Sequence, residues 1–275
     1  MKTIVHLSDL HFNAVDNKLI PPLVEAVNSI KPDILAVSGD LTQHAHQDEF
    51  EAAMSLIRSL PGHLIVVPGN HDMSFYNLWR RATQRLKLFR KLVTNDPEPF
   101  YSDGEITVLG LNTARVSHLR DGRIRGWQVQ RMEERMGAAP SDSVKVLVTH
   151  HPFDLPDTFN ARELVGRGEE YVPRVVKCID LMLAGHMHIS HAGPTALRYK
   201  IEGQSTIFVQ AGTALSTRVR SECNSFQVIR TTKGSIETQQ YLEEEKEFRP
   251  KQTMVFTKER GGWAPAKPAS ASLIS

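Results

Sequence analysis

Five times along the chain, a short apolar run of strand-forming residues closes on a small or turn-forming residue and then on a side chain able to bind a metal ion. Thr3 to Ser8 precedes Asp9, and Ile34 to Gly39 precedes Asp40. Leu64 to Gly69 precedes Asn70, Val144 to Thr149 precedes His150, and Leu181 to Gly185 precedes His186. Runs this short, flanked by turn residues, read as buried strands. In open α/β sheets ligands gather beyond the carboxyl ends of the strands, so these five polar positions are expected to meet in space.

The intervening segments fit that arrangement. Leu23, Val27 and Ile30 have helical spacing, with Lys31-Pro32 as the stop, and Phe50, Met54 and Ile57 mark a second helix closed by Leu60-Pro61-Gly62. A βαβαβ opening of this kind predicts a parallel or mixed sheet with helices on its face. From Phe75 to Val93 apolar residues recur at steps of three and four, predicting an amphipathic helix whose other positions carry Arg80, Arg81, Arg85, Lys87, Arg90 and Lys91. That basic run is either a solvated helix face, a peripheral contact with an anionic lipid surface through 75–93, or an attraction for an acidic substrate.

Farther along, Ile106 to Leu111 reads as a strand and Gly126 to Met136 as a helix ended by Gly137 and Pro140. Phe153 to Pro173, with Pro156, Gly166, Gly168 and Pro173, reads as a long loop beside the site. Ile179 to Ala184, Thr206 to Gln210, Ser225 to Arg230 and Ser235 to Tyr241 read as extended segments. One domain over 1–262 is expected, with a disordered tail over 263–275, because the segment after Trp263 is rich in Ala, Pro and Ser.

Composition narrows the function classes. Lys plus Arg is 33 and Asp plus Glu is 31, so the net charge of +2 provides no general attraction to nucleic acid. Cys178 and Cys223 are too few for a disulfide framework and read as small buried hydrophobes. No early apolar run resembles a signal peptide and no stretch is long enough to span a bilayer, so a cytoplasmic location is expected.

Taken together, Asp9-x-His11, Gly39-Asp40, Gly69-Asn70-His71-Asp72, Thr149-His150 and Gly185-His186-x-His188 resemble the calcineurin-like metallophosphoesterase superfamily across nearly the whole chain. The resemblance implies a four-layer αββα sandwich of two mixed sheets flanked by helices, with a dinuclear metal site at the C-terminal ends of strands. It implies one ion on Asp9, His11, Asp40 and His188, a second on Asp40, Asn70, His150 and His186, and His71 as proton donor or transition-state hydrogen bonder.

Carboxylate and imidazole without thiolate suit Mn, Fe, Zn, Co or Ni, and ligand identity does not choose among them. Such a pair of ions would acidify a bridging water into the hydroxide that attacks phosphorus in line. The Gly-Asp-Leu-Thr-Gln-His-Ala stretch from Gly39 to Ala45 departs from the protein serine/threonine phosphatase pattern. The motifs look closer to the bacterial branch with class III cyclic nucleotide phosphodiesterases and glycerophosphodiesterases.

A phosphodiesterase acting on a small nucleotide or glycerophospho compound is therefore expected. Alternatives in the superfamily are a phosphomonoesterase, a phospholipid head-group hydrolase and a nuclease; from another class, a binding scaffold without turnover would have lost ligands, and none of the set is missing. Outside the assigned roles, His6, His44, His46, His63, His118, His151 and His191 read mainly as surface or packing residues, with His191 a candidate to donate to a ligand. Asp72 either orients a neighbour or caps a turn, and Arg218 and Arg220 either clamp a phosphate or form surface ion pairs.

Overall fold

A computed structural model describes residues 1–73, 86–115, 122–155, 163–195, 198–199, 201, 204–218, 222–260 and 262–266. Three parallel strands, β1 (Lys2–Leu7), β2 (Ile34–Val37) and β3 (His63–Val66), form one end of a seven-stranded sheet. The antiparallel strands β10 (Ser225–Thr232), β11 (Ser235–Glu244), β12 (Glu247–Glu259) and β13 (Gly262–Pro265) extend it beyond β1. The second sheet has the order β4-β5-β6-β7-β9-β8, from β4 (Phe100–Ser102), β5 (Ile106–Gly110), β6 (Val144–Val148), β7 (Leu181–Ala184), β8 (His191–Pro194) and β9 (Ile207–Gln210). Its four central strands are parallel and the two edges antiparallel.

Strand periodicity explains the layering. Successive side chains alternate faces, so Ile4, Ile34, Ala36 and Ile65 join Val108, Val146, Leu183 and Val209 in one buried cluster that fills the space between the sheets. Their neighbours Val5, Leu7, Leu35 and Val37 pack instead with Leu23, Val27, Phe50, Met54 and Ile57. Those partners come from α1 (Ile20–Ile30) and α2 (Gln47–Ser59), joined by Phe89 of α3 (Lys87–Leu92). On the outer face of the second sheet, Leu109, Leu147 and Met182 meet Val129, Met132, Val172 and Val175 from α4 (Gly126–Gly137) and α5 (Gly168–Cys178). Helix, sheet, sheet, helix is the expected four-layer sandwich.

The helix boundaries follow local chemistry. α1 accepts Pro within its first two positions, where no intrahelical N–H partner is required, and stops at Lys31 in the left-handed region (φ 52°) before Pro32. α5 corrects the loop expected over Phe153 to Pro173: its first residues run helical through Pro173, and Tyr171, Val172, Val175 and Val176 are buried. Cys223, expected to be buried, is exposed, and Cys178 is partly buried. The tail boundary is also revised. Trp263 is buried in β13 and its Nε1 donates to Asp180 Oδ1 at 3.0 Å, so ordered pairing continues to Pro265. Of the amphipathic helix expected over 75–93, residues 75–85 lie outside the described residues, including Arg80, Arg81 and Arg85. No helix among the described residues is long and apolar enough to cross a membrane.

Candidate metal centre

The loops after β1, β2, β3, β6 and β7 meet at one end of the two sheets. Backbone hydrogen bonds lace them together: Asp9 N–H donates to Gly39 O (3.1 Å), His11 N–H to Asp40 O (3.0 Å) and Gly185 N–H to His150 O (3.0 Å). Five of the expected site residues hold positive φ: Asp9 (51°), His11 (50°), Asp40 (51°), His186 (76°) and His188 (58°). Each costs on the order of 1–3 kcal/mol for a residue with a Cβ, and such strain concentrates where geometry serves a site. Gly69 is required by proximity, because a Cβ there would overlap the Asp40 carboxylate.

The donor atoms fall into two adjacent sets. Asp9 Oδ2 accepts from Ser8 Oγ (2.5 Å) and from the His186 N–H (2.8 Å), which leaves Oδ1 turned inward, buried and without a hydrogen-bond donor. That oxygen lies 3.2 Å from His188 Nε2 and 3.7 Å from His11 Nε2, and the two imidazole nitrogens are 3.1 Å apart. Asp40 stands between the sets. Its Oδ1 accepts the His71 N–H (2.8 Å), while Oδ2 lies 3.8 Å from His11 Nε2 and 3.4 Å from His150 Nε2. His150 Nε2 is also 3.0 Å from Asn70 Oδ1, and His186 packs its ring 5.1 Å from that of His150.

Outer contacts set which nitrogen faces inward. His150 Nδ1–H donates to Ser38 O (2.7 Å) and His188 Nδ1–H to Arg218 O (3.0 Å), so in the neutral rings Nε2 carries the lone pair. Asp72 is buried and accepts from Gly69 N–H, Thr42 N–H and Thr42 Oγ1, which fixes the loop carrying Asn70 and His71. Burial, reinforced by the Asp40 charge, pushes the Asp72 carboxyl up to about 7.

Charge at the centre is unbalanced. Burial opposes ionisation of Asp9 and Asp40, yet His188 beside the first and His150 beside the second outweigh it and hold both carboxyls below the usual range. Burial likewise opposes charging of His150, but Asp40 draws its ring up to about 9. Burial pushes His11 down to about 4 and His186 down to about 3. Two buried carboxylates thus attract positive charge, from His150 and His188 in the ligand-free protein, into a space where burial keeps His11 and His186 neutral. Donor separations near 3 Å match neighbouring ligands on one ion with bonds of about 2.0–2.2 Å, and the orphaned Asp9 Oδ1 supplies an unused lone pair. The residues present fit divalent cations bound by nitrogen and oxygen.

The structure brings Asp9, His11, Asp40, Asn70, His150, His186 and His188 to this place, with His71 at its edge, its ring 4.9 Å from that of His11. It also adds His151, which the sequence suggested as surface or packing. His151 is buried, its ring lies 4.7 Å from that of His186, and its donor atom groups with those of His150 and His186 within 4.8 Å. Thr113 Oγ1 holds Nδ1 at 2.8 Å, and Nε2 is buried without a hydrogen-bond partner. The paired histidines after β6 were the available signal. Arg218 also reaches the mouth: its Nη1 donates to Gln43 Oε1 (3.2 Å) and lies 3.4 Å from His71 Nε2. Arg220 lies outside the described residues, and His191 sits in β8 with no hydrogen bond to the centre among the described residues.

A layered α/β sandwich with carboxylates and imidazoles converging beyond its strand ends defines a candidate metal-binding hydrolase. Residues 2–190 match the family described as calcineurin-like phosphoesterase, and the chain belongs to that family. Among similar proteins are a putative metallophosphoesterase of Caenorhabditis elegans, 26% identical over 76% of this chain and 44% of its own length, and a probable cyclic nucleotide phosphodiesterase of Synechococcus, 26% identical over 68% of this chain and 73% of that protein. A glycerophosphodiester phosphodiesterase of Enterobacter lignolyticus is 30% identical over 25% of this chain and 29% of its own. The chain therefore spans less than half of the Caenorhabditis relative. Among solved structures, a purple acid phosphatase from yellow lupin shares the fold with a TM-score of 0.64 at 14% identity, over 92% of this chain and 53% of that one.

Proposed function

We propose that this protein is a metal-dependent phosphoesterase that hydrolyses a small phosphodiester, using two divalent ions. One would be held by Asp9, His11, Asp40 and His188, and the other by Asp40, Asn70, His150 and His186. The observation that carries this reading is the position of Asp40, whose Oδ2 lies 3.8 Å from His11 Nε2 on one side and 3.4 Å from His150 Nε2 on the other. When bound, such ions supply Lewis-acid polarisation of phosphoryl oxygens and acidify water near neutral pH.

The chain's own groups do the rest. Asp40 Oδ1 anchors the His71 backbone, and the Gln43 carbonyl accepts from Nδ1–H at 2.9 Å, so His71 presents Nε2 at the mouth. That nitrogen is the atom placed to exchange a proton with a departing alkoxide. Arg218 adds guanidinium N–H donors beside it, suited to a non-reacting phosphoryl oxygen. Diester rather than monoester substrates are supported by the phosphodiesterase names of the relatives above.

A panel on metal-reconstituted protein tests this. Cyclic nucleotides, glycerophosphodiesters, a phosphomonoester and single-stranded DNA are compared by kcat/KM. The reading expects at least one small diester to exceed the monoester; preference for the monoester or for DNA would overturn it.

A further inference from the structure

Beside the centre lies a cavity of about 840 Å³ that the chemistry above leaves unassigned. Its walls continue those of the centre. Met73 follows Asp72 directly, and Asn112 and Ala114 flank Thr113, whose hydroxyl lies 2.8 Å from His151 Nδ1. The size suits a nucleotide-scale group.

Five cations line it: Lys87 and Arg90 from α3, Arg115 from the loop after β5, Arg125 just before α4 and Arg131 within it. Two carboxylates face them, and one is already satisfied. Glu98 is buried, accepts from Gln128 Nε2 at 2.5 Å and pairs with Arg131. Asp96 spends Oδ1 on the Glu98 N–H at 2.9 Å. Lys87, Arg90 and Arg125 are exposed and make no ion pair with a carboxylate among the described residues. Trp127, 52% exposed under the Arg131 guanidinium at 5.5 Å, forms the apolar part of the wall. The amino end of α4 adds its partial positive charge.

A solvated basic face would spread along one helix. Here cations from three separate elements surround one concave space that opens beside the centre, so positive charge remains over where a substrate's distal part would lie. We infer that this cavity binds a second anionic group of the substrate, a phosphate remote from the ester being cleaved, and that Arg90 and Arg125 read it. This rests on the phosphodiesterase reading and narrows it to diesters that carry a further phosphate.

Two measurements separate the proposals. The first compares kcat/KM for a nucleoside p-nitrophenyl phosphodiester with and without an additional phosphate on the sugar, in wild type and in an Arg90→Gln/Arg125→Gln variant. Wild type is expected to favour the doubly charged ester about tenfold or more, through KM, and the variant to lose most of that ratio. A ratio near one in wild type, or one unchanged in the variant, overturns the inference.

The second titrates metal-free protein with methylenebisphosphonate by calorimetry, independent of turnover. Its Kd should rise about tenfold in the variant and stay at the wild-type value in Lys233→Gln, a substitution on the far surface. Equal Kd in wild type and the Arg variant overturns the inference. Weakened binding without any diester turnover supports the cavity and counts instead against the phosphodiesterase reading. Thermal denaturation of the variant, expected to match wild type because both arginines are exposed, excludes misfolding as the cause.

Discussion

The candidate metal centre and the basic cavity, joined through neighbouring chain positions at Asp72–Met73 and Asn112–Ala114, are built by opposite means. At the centre, side chains are buried, strained at five left-handed backbone positions, and fixed by Ser8, Ser38, Thr42 and Arg218. In the cavity, Lys87 and Arg90 of α3 and Arg125 at the start of α4 stand exposed, without an ion pair to a carboxylate among the described residues. The first arrangement tolerates little change because its side chains are buried and several are held by outer hydrogen bonds; the second is exposed and can be altered residue by residue. If the proposed roles hold, the buried, fixed geometry sets the reaction type and the exposed charge sets substrate choice.

That contrast predicts a hierarchy of effects. Asp40→Asn should have the largest, since it removes the carboxylate shared between the two donor sets. Turnover is expected to fall on the order of a thousandfold or more, with loss of tightly bound metal measured by elemental analysis after gel filtration. Retained metal and activity would place the shared ligand elsewhere.

His71→Ala should keep the metal content and lower kcat by roughly 10²–10⁴-fold on diesters with poor leaving groups, with a smaller loss on nitrophenyl esters, whose leaving group needs no proton. Equal losses on both would remove its role as acid. Smaller again is His151→Ala, which should weaken metal affinity by about 10–100-fold, read by competition with a chelator. No change in affinity would return His151 to a packing role. Weakest of all are the cavity arginines, whose replacement shifts discrimination between substrates by about tenfold.

The same contrast explains what the sequence could tell. Asp9, His11, Asp40, Asn70, His150, His186 and His188 were readable because each follows a strand and its turn within a few residues, a local pattern that needs no knowledge of tertiary contacts. His151 was not. Whether the second of two adjacent histidines turns inward depends on the loop carrying Thr113, far off in the chain. α5 was hidden by Pro173 and by a buried stripe, Tyr171 to Val176, that straddles the boundary drawn between loop and strand.

β12 and β13 were missed for a related reason. β12 is polar and mostly exposed, so it carries little alternation, and β13 is defined only by pairing with it and by Trp263 meeting Asp180. The cavity was only partly legible: Lys87 and Arg90 stood out within the basic run of 75–93, but Arg115, Arg125 and Arg131 lie on other elements and carry no pattern that joins them to it.

Anomalous diffraction from crystals grown with excess manganese addresses the central claim most directly. The account predicts two peaks, one among Asp9, His11, Asp40 and His188 and the other among Asp40, Asn70, His150 and His186. A single peak, peaks away from Asp40, or none at all would contradict it.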